Sequence, residues 1–439
     1  MKEHIWHPCT QMKDHEDFPP VRAQRGEGLY IYDENGRAYM DVISSWWCNL
    51  LGHGNLRIKE AVKKQLDQLE HVMFAGFTHR PAEELCSLLS ELLPQGLEKF
   101  FFVDSGATAV ETAMKMSFQY HSQTGSPQRR RFMTLANGYH GENLGTLAVS
   151  GRDRYTKIFE PLLFSAIHVP GPDCFRCPYG KDREHCSTEC IKDAEQAFAA
   201  YGKETAAFLL EPIVQGAAGM RIYPAVYLKK IRELCDSYCV HLIADEIAVG
   251  YGRTGKMFAC KHAGITPDFM CLSKGLTGGF MPMALTVTKD EIYQAFYGDF
   301  EEGRTFMHST TYSGNPLACA AAVEVLHILK EEQVLKHTQA AYLKRRMQEV
   351  FGGYKNVGEI RGIGLIRAIE LVEDVPAKKP FAPEKRLGYE IYKAAMERGL
   401  MLRPIGETVY FNPPLTITRP QIDRVVELCR ESIEEALGR

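Results

Sequence analysis

Between residues 100 and 288 the chain alternates short apolar runs with segments of helical period, and this alternation limits the possible folds more than any other feature. The runs are Phe100–Val103, Arg131–Leu135, Ala206–Leu210, 241–245, 269–272 and 284–288, and each reads as a strand. SGATAVETAMKMSFQYH reads as a helix between the first two. Tyr227–Tyr238 reads as another, with Leu228, Ile231, Leu234 and Tyr238 turned inward. Buried strands alternating with helices imply an α/β fold, a mostly parallel central sheet covered on both faces.

The flanks differ in character. Residues 29–42, LYIYDENGRAYMDV, predict two strands around a turn at Asn35-Gly36. SSWWCNLLGHGN is too rich in Gly and Trp for a regular element. A helix is expected from Leu56, capped by Asn55, with Ile58, Val62, Leu66 and Leu69 on one face, and a second with Pro81 in its first turn. After Pro316 a long helix begins. Beyond it, strands near 364–371, 400–403 and 409–412 alternate with helices near 384–397 and 420–437. This part reads as a smaller α+β domain to which the N-terminal hairpin belongs. The expected division is 1–45 as the N-terminal part of the small domain, 46–320 as the large domain and 321–439 as the C-terminal small domain.

A chain of 439 residues, 45% hydrophobic, can bury two such cores. Its 52 Lys and Arg against 55 Asp and Glu leave a net charge of −3, which points to no nucleic-acid or membrane partner. The start, MKEHIWHPCTQMKDHED, has no apolar core behind a basic leader, and no apolar run approaches the roughly 20 residues that span a bilayer. Thirteen cysteines, an odd number, point to a reducing cytoplasmic setting.

The chemistry centres on Leu242 to Pro282, LIADEIAVGYGRTGKMFACKHAGITPDFMCLSKGLTGGFMP. One apolar run ends in Asp245-Glu246, and a second delivers Ser273-Lys274 into a glycine-rich turn. Taken singly, each pair reads as a helix cap or a surface ion pair. Jointly, a carboxylate and an amine at the C-terminal ends of two strands face the edge where open α/β sheets bind ligands. They suit pyridoxal phosphate, the acid meeting the ring nitrogen and the amine meeting the aldehyde.

Three loops add to this. Ser105-Gly106-Ala107-Thr108, between strand and helix, exposes N–H groups that suit a phosphate, or is an ordinary capped turn. Asn137-Gly138-Tyr139-His140-Gly141 lets Tyr139 approach a flat ligand, or is a tight turn with core aromatics. His308-Ser309-Thr310-Thr311-Tyr312 offers hydroxyls to a phosphate, or caps the following helix.

In order along the chain, SGATAVE, NGYHG, EPIVQGAAGM, ADEIAVGYGRTGK, LSKGLTGG and TYSGNP resemble the subgroup III aminotransferases of pyridoxal-phosphate fold-type I. The set covers almost the whole chain. WHPCTQM, SSWWCNLLGHGN, HVMFAGFTH and RPIGETVYFNPP are similar to the branch of that family that aminates 8-amino-7-oxononanoate in biotin synthesis. The resemblance implies Lys274 as the lysine that binds the cofactor and Asp245 as the acid on its ring nitrogen. Tyr139 is implied as the stacking ring, and Gly106 and Ala107 as phosphate ligands. It implies Thr311, beside Ser309 and Thr310, as a phosphate ligand given to the partner of a homodimer. Trp46 and Trp47 become a substrate wall and Arg403 the holder of a substrate carboxylate, while Glu211 and Arg253 fall on motif positions. The implied amino donor is adenosylmethionine or lysine. An ω-amino acid:pyruvate transaminase is the alternative on the same fold, and a non-catalytic protein on this scaffold would have no use for both Lys274 and Asp245.

The chain departs from the family pattern at Cys9, where several relatives have tyrosine, at Glu142 for aspartate, and at Ser309-Thr310 for Gly-Pro. These changes leave the donor open. The insertion Cys174-x2-Cys177 with Cys186 and Cys190 begins with metal-ligand spacing, but its second half is loose. Thiols in a surface loop are expected there, and no metal ligand is assigned.

Overall fold

The computed structural model describes residues 4–151, 156–182 and 185–438. The first three residues of the leader reading and two residues of the cysteine insertion lie outside the described residues. The strands are, in chain order, β1 (Ala23–Glu27), β2 (Tyr30–Asp33), β3 (Ala38–Asp41), β4 (Leu97–Val103), β5 (Arg131–Leu135), β6 (Ile167–Val169), β7 (Thr205–Leu210), β8 (Val214–Gln215), β9 (Arg221–Ile222), β10 (His241–Asp245), β11 (Phe269–Leu272), β12 (Ala284–Lys289), β13 (Val357–Ile363), β14 (Ile366–Leu371), β15 (Leu400–Met401) and β16 (Thr408–Phe411).

Seven of them form the central sheet in the order β4-β12-β11-β10-β7-β5-β6. The pairs within β11-β10-β7-β5-β6 are parallel, and β12 runs antiparallel to both its neighbours. Ala207, Leu209, Ile243 and Cys271 face one side, against Ala109, Val110 and Ala113 of the helix Gly106–Gln123. Phe208, Leu210, Leu242 and Ala244 face the other, against Phe198 and Ile231 of the helices Ile191–Tyr201 and Ala225–Tyr238. Each strand is therefore apolar on both faces, which is why the runs look continuous in the sequence.

The expected hairpin forms. Gly36 turns at φ +82°, and Asp33 Oδ1 accepts from the N–H groups of Asn35 and Arg37 at 2.9 Å each. β3 then pairs in parallel with β15, Met40 opposite Leu400, so the two ends of the chain share the sheet β1-β2-β3-β15. The edge strand β6 and the strand β13 were not foreseen. The helix Leu56–Leu66 is capped by the Asn55 side chain as expected, but Leu66 is 56% exposed and Gln65 is buried, its amide donating to the Leu69 carbonyl at 2.9 Å. The inward stripe is thus 58, 62, 65 and 69, with an amide in place of the expected leucine. Among the described residues, no helix is long and apolar enough to cross a membrane.

Below the sheet, away from the ligand edge, the His121 and His241 rings stack 4.5 Å apart. Burial pushes them down to about 4 and about 3. Burial would raise the Asp268 carboxyl, but Arg232, His241 and Lys289 hold it down at about 2. Unfolded imidazoles protonate near pH 6.5, so below that the unfolded chain binds protons that the folded chain refuses. Each histidine then removes up to about 1.4 kcal/mol per pH unit until its folded pKa is reached. Asp268 adds to the loss as pH falls from 3.8 toward 2. The thermal midpoint of His121→Phe is therefore expected to fall less steeply than wild type between pH 6.5 and 4; parallel curves in a pH series of melts would remove the histidine pair as the cause.

Candidate active site

Parallel pairing of β10 with β11 sets Asp245 opposite Cys271, three residues before Lys274. Both strands end at the same sheet edge, so the acid and the amine enter one cleft. Asp245 is 5% exposed; one carboxylate oxygen accepts from Ile247 N–H at 3.1 Å, and the other lies 2.8 Å from His140 Nδ1. Burial works against charge on the His140 ring, but the hydrogen bond and charge of Asp245 raise its pKa above the ordinary value. The next residue does different work. Glu246 is buried and accepts from the Ala259 and Cys260 N–H groups at 2.8 and 2.7 Å, so it ties down the loop between the two strands.

Lys274 has a left-handed backbone, φ +46°, and its Nζ lies 4.4 Å from the centre of the Trp47 ring. Burial lowers its pKa, only partly offset by Asp245 and Glu211. An amine so placed is closer to its neutral, basic form than a surface lysine.

Tyr139 stands at the cleft with its N–H on the Glu211 carboxylate at 3.1 Å and its hydroxyl donating to Glu142 at 3.4 Å. Burial and Glu142 both raise the phenol pKa. Glu211 is buried, also accepts from Gly216 N–H at 2.9 Å, and is pushed up to about 7 by burial, with Asp245 adding to the rise and His140 and the two backbone N–H groups opposing it. Ser105 caps the helix Gly106–Gln123, its Oγ accepting from Thr108 N–H at 3.3 Å. The N–H groups of Gly106 and Ala107 thus lie in the first turn of an 18-residue helix, where an anion is stabilised. A Cβ on Gly106 would meet Ile247 Cδ1 at 2.9 Å, and one on Gly141 would meet Ala107 Cβ at 2.4 Å. The loops at the ends of β4, β5 and β10 therefore approach as closely as only glycine allows.

The substrate side is built from both ends of the chain. Trp47 is 6% exposed and its Nε1 donates to Tyr410 Oη at 3.0 Å; Trp46 is 45% exposed, with the Arg403 guanidinium 5.1 Å from its ring centre. Arg403 also donates to the Cys9 carbonyl at 2.8 Å, and the Cys9 thiol lies 3.9 Å from Glu142. Arg253 is buried, has no carboxylate partner among the described residues, and donates to the carbonyls of Trp47, Asn49, Asn412 and Pro413. It pins the tryptophan loop to the end of β16. Burial pushes its pKa down to about 10.

The structure thus gathers Lys274, Asp245, Tyr139, Gly106, Ala107, Trp46, Trp47 and Arg403 around one cleft. Ser309, Thr310 and Thr311 lie on the loop before the helix Pro316–Glu331, and Thr310 is bonded to Ser313 at 3.0 Å. Among the described residues, no hydrogen bond or ion pair joins these three to Lys274, Asp245 or Tyr139. The role of His140 beside Asp245 was missed by sequence reasoning; an aromatic pair between glycines was the only signal for it. Cys174, Cys177, Cys186 and Cys190 line one small pocket beside the helix Ile191–Tyr201. Among the described residues, no group of three or more His, Cys, Asp or Glu side chains is arranged to hold a metal ion.

The arrangement fits pyridoxal phosphate: a helix N-terminus for its phosphate, a buried carboxylate for its ring nitrogen and a cleft amine for its aldehyde. Comparison with known proteins agrees. Residues 11–433 match the family model described as Aminotransferase class-III. The chain is 42% identical to an adenosylmethionine-8-amino-7-oxononanoate aminotransferase of Geobacter sulfurreducens, over 100% of this chain and 97% of that one. The crystal structure of the enzyme of the same name from Methanocaldococcus jannaschii superposes with a TM-score of 0.92 at 36% identity, covering 98% of this chain and 97% of that one. An omega transaminase from Pseudomonas jessenii in complex with PMP also matches with a TM-score of 0.92, at 32% identity over 99% of this chain and 97% of its own. With the matching core of the sheet, the site at its edge and a family model spanning nearly the whole length, the chain belongs to the class-III aminotransferases.

Proposed function

We propose that the protein transfers an amino group to 8-amino-7-oxononanoate, giving 7,8-diaminononanoate for biotin synthesis, with adenosylmethionine or lysine as donor. The observation that carries this reading is the placement of Lys274 and Asp245 at the ends of adjacent strands, under a wall of Trp46 and Trp47 with Arg403 beyond it. The names of the relatives at 42% and 36% identity support the same substrate.

Pyridoxal phosphate, the cofactor of this class, supplies an aldehyde that takes up amino nitrogen and a ring that draws electrons from the neighbouring carbon. The residues do the rest. Gly106 and Ala107 N–H groups would hold the phosphate. Asp245, steadied by His140, would keep a proton on the ring nitrogen. Tyr139 would cover the ring. Lys274, with its basicity kept available by burial, would take the proton from the substrate carbon bearing nitrogen and hold it on Nζ. Arg403 presents a planar fork to the substrate carboxylate, and the indoles exclude water along the aliphatic chain.

Thr311, with Ser309 and Thr310 beside it, is assigned to the phosphate site of a second copy of the chain, so the active unit is a homodimer. Residues 1–45 and 321–439 are assigned to the small domain and 46–320 to the cofactor-binding domain, supported by the pairing of β3 with β15. A cytoplasmic location is supported by the buried thiols Cys235, Cys260, Cys271, Cys319 and Cys429.

Lys274→Ala is expected to abolish turnover and covalent cofactor attachment. Borohydride reduction and peptide mapping of wild type should label this lysine, and label elsewhere would end the assignment. Arg403→Ala is expected to raise KM for 8-amino-7-oxononanoate by about tenfold or more, the loss of a charged hydrogen-bonded partner; an unchanged KM removes the role. Co-expressed Lys274→Ala and Thr311→Ala chains should regain activity that neither has alone, since one site of each mixed dimer is intact. If the mixture stays as inactive as its parts, Thr311 does not cross between subunits. Turnover of pyruvate but not of 8-amino-7-oxononanoate would transfer the protein to the ω-amino acid transaminases.

A further inference from the structure

Ser44, Ser45, Trp46 and Trp47 have φ of +50°, +54°, +108° and +72°, four successive non-glycine residues on the left-handed side. L-residues avoid this region, and such a run persists only where its surroundings over-determine it. One buried carboxylate does most of this. Asp41 Oδ1 accepts from the N–H groups of Ile43 and Ser45 at 3.2 and 3.0 Å, and Oδ2 accepts from the Ser45 hydroxyl at 2.7 Å. The same Oδ2 lies 2.8 Å from His53 Nε2, and Asp41 itself is fully buried.

His53 is fixed in turn. It exchanges backbone hydrogen bonds with Gly28 at 2.9 and 2.7 Å, and its side chain lies so close to Gly26 that a Cβ there would meet His53 Cβ at 2.7 Å and ring Cγ at 2.9 Å. The far side of the turn is held by Ser44 Oγ, which donates to the Asn412 carbonyl at 2.7 Å, and by Arg253 on the Trp47 carbonyl at 3.2 Å.

We infer that Asp41, oriented by His53, is a positioning residue that sets substrate length by holding Trp46 and Trp47 in this left-handed turn. The turn aims one indole at the reacting amine, 4.4 Å from Lys274 Nζ, and the other at the carboxylate-binding end, 5.1 Å from the Arg403 guanidinium. A ketone held at Lys274 would need an unbranched aliphatic chain ending in a carboxylate to meet Arg403 as well; a short keto acid would meet only the indole at Lys274. The inference rests on the aminotransferase reading above.

The test compares wild type, Asp41→Asn and Ser45→Ala as cofactor-loaded enzymes. Asp41→Asn keeps the shape but loses the charge shared by His53 and the turn. The expected result is a KM for 8-amino-7-oxononanoate raised by about tenfold, with kcat changed less than about threefold and little change for pyruvate. Fluorescence provides a second readout, because the chain has three tryptophans and two lie on this turn. In a Trp6→Phe background, acrylamide quenching of Trp46 and Trp47 should rise by about twofold in Asp41→Asn. Wild-type KM together with wild-type quenching overturns the inference. So does an equal loss for long and short ketones with a fall in kcat, which marks general damage. Ser45→Ala, which removes the hydroxyl and leaves Asp41 charged, decides the question if Asp41→Asn does not fold. If wild type does not aminate 8-amino-7-oxononanoate, the proposed function fails, and the quenching comparison alone decides whether Asp41 holds the turn.

Discussion

The parallel register of β10 on β11 is the constraint on which the rest depends. With Ile243 opposite Phe269, Ala244 opposite Met270 and Asp245 opposite Cys271, the acid leaves its strand beside the turn that carries Lys274. A slip of one residue would send Asp245 to the opposite face of the sheet and Ala244 toward the cleft. Dry packing on both faces enforces the register, because Leu242 and Ala244 fill one core and Ile243 and Cys271 the other. Catalytic geometry here is a by-product of apolar packing. The stability of the core and the aim of the reacting groups are one property.

Around that pair, charge is handled in two ways. Asp245 is steadied by a histidine, whereas Glu211 and Glu246 are buried against backbone N–H groups and pushed up to about 7. The two glutamates organise loops, one the Tyr139 turn and the other the loop after Phe258. Arg253 does the same with carbonyl oxygens in place of a carboxylate. Four strained residues, at about 1–3 kcal/mol each, sit in the tryptophan turn, and these buried polar ties offset that cost.

Much of this was legible in the sequence. Strands buried on both faces leave continuous apolar runs, so β5, β10 and β11 were placed to the residue, and Lys274 and Asp245 with them. Asn55 announced its own cap. What was not legible depends on tertiary partners. β6 is three residues long and has little periodicity to show. Leu66 reads as core, yet faces outward because Gln65 satisfies its amide on Leu69 and takes the inward place. Asp41 looks like the last residue of a strand; only the fold brings Ser45 and His53 to it.

The union of Met40 with Leu400 carries a consequence for how the molecule is made. By the time residue 289 has left the ribosome, every strand of the cofactor sheet exists and can collapse on its helices. The first three strands, however, wait unpaired on one side for a segment synthesised near the very end. Arg403 arrives with that segment. A nascent or truncated chain would therefore assemble its floor before its substrate-facing wall, and nonsense products ending ahead of residue 400 would carry an open strand edge, the kind of surface that quality-control factors recognise.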